Sequence, residues 1–230
     1  MHLERCTPLI PLLPERSASR IVIPGRDGSV DFNRDSYLPR IIPVDCLLSA
    51  SSEATIRSYL NDIAIWLTGR GKLIFDLDSA KQWYAKVYSG IEISHYPLAR
   101  QFNVMFECQP YAEDVTETTD ATVDTEQDYG SDIIFYPVIT VNITANTATL
   151  LVTLLSTGEY ILITDSFVNG DEVIINMSTG KVTKNAAGCM DKVNILSTFF
   201  GVPPGDQTIT VTADSTYTAV MAYRKRYLYA

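Results

Sequence analysis

AEDVTETTDATVDTEQDYGSD, residues 112–132, divides the chain of 230 residues into two halves of different character. The tract carries Glu113, Asp114, Glu117, Asp120, Asp124, Glu126, Asp128 and Asp132 with no Lys or Arg. Val115 and Val123 are its only aliphatic side chains beyond alanine. Such a segment offers little apolar surface against an ordering cost of about 1–2 kcal/mol per residue, and its like charges favour an extended path. Connections inside a compact domain usually run to about 4–6 residues. The tract therefore reads as an acidic linker between two modules, residues 1–111 and 133–230. A long mobile hairpin loop within one domain is the alternative.

Charge follows the same boundary. Residues 1–111 balance twelve acids with twelve bases, the tract adds eight acids, and residues 133–230 hold seven acids and six bases, which recovers the net charge of −9. Neither half carries the excess that would recruit a polyanion or an anionic membrane, so neither specific nucleic-acid binding nor membrane association is expected. No apolar run approaches the roughly 20 residues of a membrane span. Pro8, Pro11 and Pro14 interrupt the apolar N-terminus, which lacks the continuous core of a signal peptide. Cys6, Cys46, Cys108 and Cys189 are scattered, with neither disulfide-scaffold nor metal-ligand spacing, and read as buried thiols of a protein made in a reducing cytoplasm.

In the first half, residues 9–13 read as a proline-punctuated extended strap, and Arg20-Ile21-Val22-Ile23 as a short buried strand ended by Pro24-Gly25-Arg26-Asp27-Gly28. Residues 41–48 read as a strand in which Pro43 argues for an edge or a bend. Residues 52–68 form the one clear helix pattern. A serine precedes its start, Glu53 suits the positive end, and Gly69 suits the exit. Ile56, Leu60, Ile63 and Leu67 fall on one stripe, which predicts a buried face. Ile65 points to the opposite side and Trp66 to the flank, where they meet either a second layer of the same domain or another subunit. After Gly69 the period changes to two, with strands expected at 73–75, 83–88, 91–95 and 102–108. The first half is thus a sheet packed on one helix, an α+β unit.

From Ile133 onward the pattern is strands alone. Ile139, Val141 and Ile143 alternate with polar residues, as do Ala148, Leu150, Val152 and Leu154. Further strands are expected at 160–164, 173–176, 181–183, 208–212 and 216–223, separated by Gly-, Asn- and Pro-containing turns. Short strands at near-regular spacing predict an antiparallel β-sandwich. The fold class is mainly β with one α-helix.

No catalytic constellation is visible. His2 and His95 are the only histidines, and no nucleophile elbow, zincin or phosphate-loop motif occurs. Asp76 and Asp78 read as turn formers. Asp165, Asp171 and Asp191 lack the spacing of a Ca²⁺ loop. The tail, Tyr223-Arg224-Lys225-Arg226-Tyr227-Leu228-Tyr229, interleaves bases with aromatics as single-strand binders do, but reads as a terminal strand with snorkelling bases. No cofactor, metal or catalytic residue is expected.

IVIPGRDG at 21–28, the Tyr-Leu-Pro-Arg segment at 37–40, the helix ending in Trp66-Leu67, and then KLIFD, WYAKV and FNVMFECQPY resemble the distal tail protein family of long-tailed non-contractile bacteriophages. The motifs cover most of residues 20–111 in order. The second half is similar to the galectin-like sandwich that the family appends to its ring domain, on the evidence of GDEVIINMSTGKV at 170–182 and the turn beginning at Phe200. The resemblance implies a structural virion protein of the phage tail tip or baseplate, from a phage or prophage. It forms a ring, expected to be a hexamer, that joins the tail tube protein to the tail-tip hub and to peripheral receptor-binding proteins. Arg26, Asp27, Tyr37, Ile65 and Trp66 are the candidate interface residues. Arg26 and Asp27 are either paired across a subunit boundary or part of a solvated turn. The alternative function is a carbohydrate-binding adhesin whose sandwich stacks Tyr217, Tyr223 and Tyr227 on host wall sugar.

Overall fold

The computed structural model describes residues 3–17, 20–25, 27–28, 30–31, 36–120 and 123–229. The chain divides into two compact units, Met1–Glu113 with Leu228–Ala230, and Asp114–Tyr227.

The first unit is one antiparallel sheet with a helix on one face. Its strands are β1 (Leu3–Pro8), β2 (Arg40–Ser49), β3 (Arg70–Phe75), β4 (Asp78–Val87), β5 (Ile93–Tyr96) and β6 (Ala99–Cys108), with α1 at Glu53–Trp66. The order is β1-β2-β6-β4, with β3 beside β4 and β5 beside β6. Ile42, Val44, Cys46 and Leu48 alternate inward along β2, and Phe102 and Val104 do so along β6. The helix lays Ile56 and Ile63 on that face, as its spacing predicts. Its start is fixed by Ser52, whose side chain accepts from Thr55 N at 3.2 Å, and by Arg100, which donates to Glu53 Oε2 at 2.5 Å. Gly69 leaves the helix at φ +92°, a conformation that a Cβ would strain.

Two expectations fail here. Pro43 is not on an edge strand, because β2 is flanked by both β1 and β6. It is tolerated because β1 ends at Pro8, so the N–H that Pro43 lacks would serve only the last rung, where Pro43 O still accepts from Leu9 N at 3.0 Å. Ile21, Val22 and Ile23 are not buried either. Arg20–Ile21 and Val30–Asp31 form a two-residue ribbon, and all three aliphatic side chains are exposed.

The second unit is a β-sandwich. Its strands are β7 (Thr118–Asp120), β8 (Val138–Ile143), β9 (Thr147–Leu154), β10 (Glu159–Phe167), β11 (Glu172–Asn176), β12 (Lys181–Lys184), β13 (Ile209–Ala213) and β14 (Tyr217–Tyr223). One sheet runs β7-β14-β8-β11-β12 and continues to Ala187–Gly188; the other runs β10-β9-β13. Alternate residues of both sheets, among them Ile139, Val141, Leu150, Val152, Ile163 and Val211, merge into one core. Phe135 and Val202 bridge beside Gly201, where an added Cβ would lie 2.3 Å from Ile134 Cγ2. A residue larger than glycine there would have to displace Ile134 and Tyr136.

The acidic tract is neither a tether nor a mobile loop over most of its length. Thr118–Asp120 pairs with β14, and Gln127–Asp128 pairs with Asp206–Gln207. Tyr129 is buried edge-on against Phe135 and Tyr223, at ring-centroid distances of 5.6 and 5.4 Å. Asp124 Oδ1 accepts from Val211 N at 2.8 Å, while Arg224 donates to the carbonyls of Asp114 and Val115. Backbone ladders, one buried aromatic ring and a distant arginine stabilise the segment, and neither its apolar content nor its like charges record them.

Candidate assembly interface

Apolar surface is unevenly shared. Among the described residues the first unit buries eleven apolar side chains and exposes seventeen large ones; the sandwich buries twenty-three and exposes seven. A sheet covered by one short helix leaves its other face and its edges open, and about half of the exposed side chains lie there, the rest sitting on the proline-punctuated strap, the two-residue ribbon, their flanks and Tyr229. Tyr84 on β4 and Met105 on β6 are exposed, as are Ile74 on β3 and Leu77 in the turn after it. Ile65 and Trp66, at the outer end of α1, are 64% and 60% exposed. Trp66 and Ile74 also rim an apolar pocket of about 140 Å³ with Cys46, Ile63, Phe102 and Val104 behind them. A second hollow of about 490 Å³ is framed by Arg70, Lys72, Tyr84, Lys86 and Glu107. Lys86 pairs with Glu107 at 3.1 Å, and Lys72 lies 6.0 Å from the Tyr84 ring centroid.

The other candidate residues are dispersed. Arg26 lies outside the described residues, and Asp27 is exposed at a bend. Tyr37 is half-buried, bridges to Arg16, and has the Arg16 guanidinium 5.7 Å from its ring centroid. Asp78 caps a turn through Ala80 N and pairs with Lys81 at 3.2 Å. In the sandwich, Asp165 and Asp171 share Lys184 at 3.0 and 3.1 Å, and Asn185 donates to Asp171 at 2.7 Å. The bond from Lys184 is the main cause that holds Asp165 below the usual carboxylate range; for Asp171 it is the backbone N–H of Val168, followed by Asn185. A side-chain ammonium already fills the place between these carboxylates. Among the described residues no group of three or more potential ligands could hold a metal ion.

The three tyrosines proposed for sugar stacking do not present an open face. Tyr223 is 6% exposed and belongs to the core, because β14 turns it inward against Tyr129 and Phe135. Tyr217 is half-buried and donates its hydroxyl to Val211 O; Tyr227 is also half-buried. The exposed aromatic ring among the described sandwich residues is Tyr136, and the Arg226 guanidinium lies 5.6 Å from its centroid. The basic tail is likewise engaged, since Arg226 also donates to Ile134 O at 3.1 Å.

Arg40 closes the Tyr-Leu-Pro-Arg segment, and nothing in that segment signals its role. It is 2% exposed and donates to Pro11 O at 2.8 Å and Leu228 O at 2.7 Å, with its guanidinium 4.9 Å from the Trp83 ring centroid. One side chain thus ties the N-terminal strap and the chain's last residues to the sheet. Burial lowers its pKa and pushes the neighbouring Cys108 thiol up to about 12.

Residues 3–108 match the model of the phage tail protein RIFT-related domain, and residues 130–227 match that of the siphovirus-type tail component, C-terminal domain. The two matches follow one another along nearly the whole chain. The chain belongs to the siphophage distal tail protein family. It is accordingly a structural component of the virion, at the distal end of the tail. The same fold is found in the Dit protein (gp 19.1) of phage SPP1, described as a paradigm of the hub adsorption apparatus in phages infecting Gram-positive hosts. The TM-score is 0.82 at 14% identity, over 99% of this chain and 93% of that one. No curated protein matches the chain in sequence. Among the described residues no helix is long and apolar enough to cross a membrane.

Proposed function

We propose that the chain builds a closed ring, six-fold as the family resemblance implies, through head-to-tail contacts of residues 1–111. On this reading one side of the ring meets the tail tube protein and the other the tail-tip hub, while the sandwich formed by residues 133–230 offers a platform for receptor-binding proteins. No catalytic step is involved. The observation that carries the reading is the imbalance in the first unit, which exposes more large apolar side chains than it buries. Exposed apolar surface on that scale is what a subunit contact covers, and a permanent contact buries on the order of 1,600 Å². Ring closure also leaves no edge strand free at the joins. Arg26, Asp27, Tyr37, Ile65 and Trp66 are the proposed contact residues, with Ile65 and Trp66 supported most directly by their exposure. Negative-stain imaging and light scattering of the purified protein at tens of micromolar should give closed rings of six copies. A strict monomer across that range overturns the self-assembly reading, and rings of another number overturn the stoichiometry alone.

A further inference from the structure

Two of the four cysteines meet across a strand pair. Cys6 of β1 is the direct partner of Cys46 of β2, and their Sγ atoms are 2.9 Å apart. The ladder fixes what kind of site this is. Leu9 N donates to Pro43 O, which makes that rung a hydrogen-bonded one; counting back along the register, Cys6 and Cys46 fall on a rung of the other kind. At such rungs opposing Cα atoms approach to about 4.5 Å and side chains are closest, within the span a disulfide requires. Both sulfurs face the apolar pocket beneath α1, where Cys46 is 5% exposed, whereas Cys6 is exposed to solvent. No other thiol of the first unit competes. Cys108 pairs with Arg40, six residues along β2 from Cys46, a separation of about 20 Å at strand rise.

We infer that Cys6 and Cys46 are a redox clasp, open in the reducing cytoplasm where the tail is built and closed to a disulfide in the released particle. The exposed Cys6 thiol loses its proton and attacks a small-molecule disulfide, forming a mixed disulfide and expelling one thiolate. Cys46 then gives up its proton, attacks the Cys6 sulfur and expels the second thiolate. Two protein thiols are oxidised and one small disulfide is reduced to two thiols, so the electrons balance. The order follows from burial and the contact with Cys6, which together keep the Cys46 thiol protonated. Closing the bond staples β1, which pairs with β2 alone among the described strands, to the sheet.

The test treats the full-length protein with oxidised glutathione at mildly alkaline pH. Thiols titrated in denaturant should fall from four to two, intact mass should drop by about 2 Da, and peptide mapping should link Cys6 to Cys46. The thermal midpoint should rise by several degrees and return on reduction. C108S should still close, and C6S should keep its remaining three thiols free. Four persistent thiols, a stable glutathione adduct on Cys6, a link to another cysteine or a link between chains would each overturn the inference. None of these outcomes bears on whether rings form.

Discussion

Replacing Arg40 by methionine removes a buried side chain that bridges Pro11 and Leu228 to the first unit's sheet. Met keeps the length and apolar stem but takes the Arg40 bonds away from Pro11 O and Leu228 O. Stranding a buried acceptor costs about 1–3 kcal/mol. Pro11 is exposed and Leu228 half-buried, so water reaches both and about 1 kcal/mol each is the better figure. The lost stacking on Trp83 adds about 1–2 kcal/mol. Against this stands the relief of desolvating a guanidinium whose Nε has no hydrogen-bond partner, worth about 1 kcal/mol in return. The net expectation is a loss of about 2 kcal/mol. Both tryptophans, Trp66 and Trp83, lie in the first unit, so tryptophan fluorescence during urea unfolding follows that unit alone. The urea midpoint of R40M should fall with the slope unchanged, while the sandwich transition stays in place. R40K, with a point charge that cannot span two carbonyls, should recover only part of the loss. A midpoint unmoved in R40M, or an equal loss in both units, would refute the reasoning. All comparisons belong at one protein concentration, because assembly stabilises the folded state.

Trp66→Lys removes on the order of 150 Å² of apolar surface from the proposed contact, about 3 kcal/mol and a roughly 100-fold weaker association; sedimentation should show rings giving way to smaller species, and intact rings would exclude Trp66 from the interface. Ala186 sits at φ +64° in the two-residue turn after β12, so A186G should raise sandwich stability by about 0.5–1 kcal/mol in guanidinium titration; a loss would show that the turn is not strained. Asp165 and Asp171 have folded-state pKa values below the unfolded range, so the stability they add is complete above about pH 4 and is lost as pH falls through the lowered values. Lys184 is raised, burial being outweighed by its two carboxylates, so its share persists until the pH climbs past about 10. The sandwich should therefore melt progressively earlier in acid, and K184M should flatten that dependence; an unchanged acid profile in the variant would sink the assignment.

Much of the architecture was legible because burial has a period. Ile56 and Ile63 on α1, the inward series of β2 and β6, and the alternation of β8 and β9 all follow from side chains whose hydrophobicity repeats at the spacing of their element. The exposed pair at the end of α1 was visible for the same reason, since an apolar residue off the buried stripe announces unassigned surface. What lacks a period was not legible. Tyr223 reads as one more tyrosine of a basic tail, and only the register of β14 against β8 turns it into the core. Arg40 looks like a surface base until Pro11 and Leu228 converge on it.

The sequence by itself determined one helix and two sheet-built halves, because these rest on residues near one another in the chain. Only the tertiary structure decided that Thr118–Asp120 and Gln127–Asp128 of the acidic tract pair with distant strands, that Pro43 sits between two strands, and that Cys6 opposes Cys46. Each of those depends on a partner from a distant part of the chain, and composition over a local window carries no record of who that partner is.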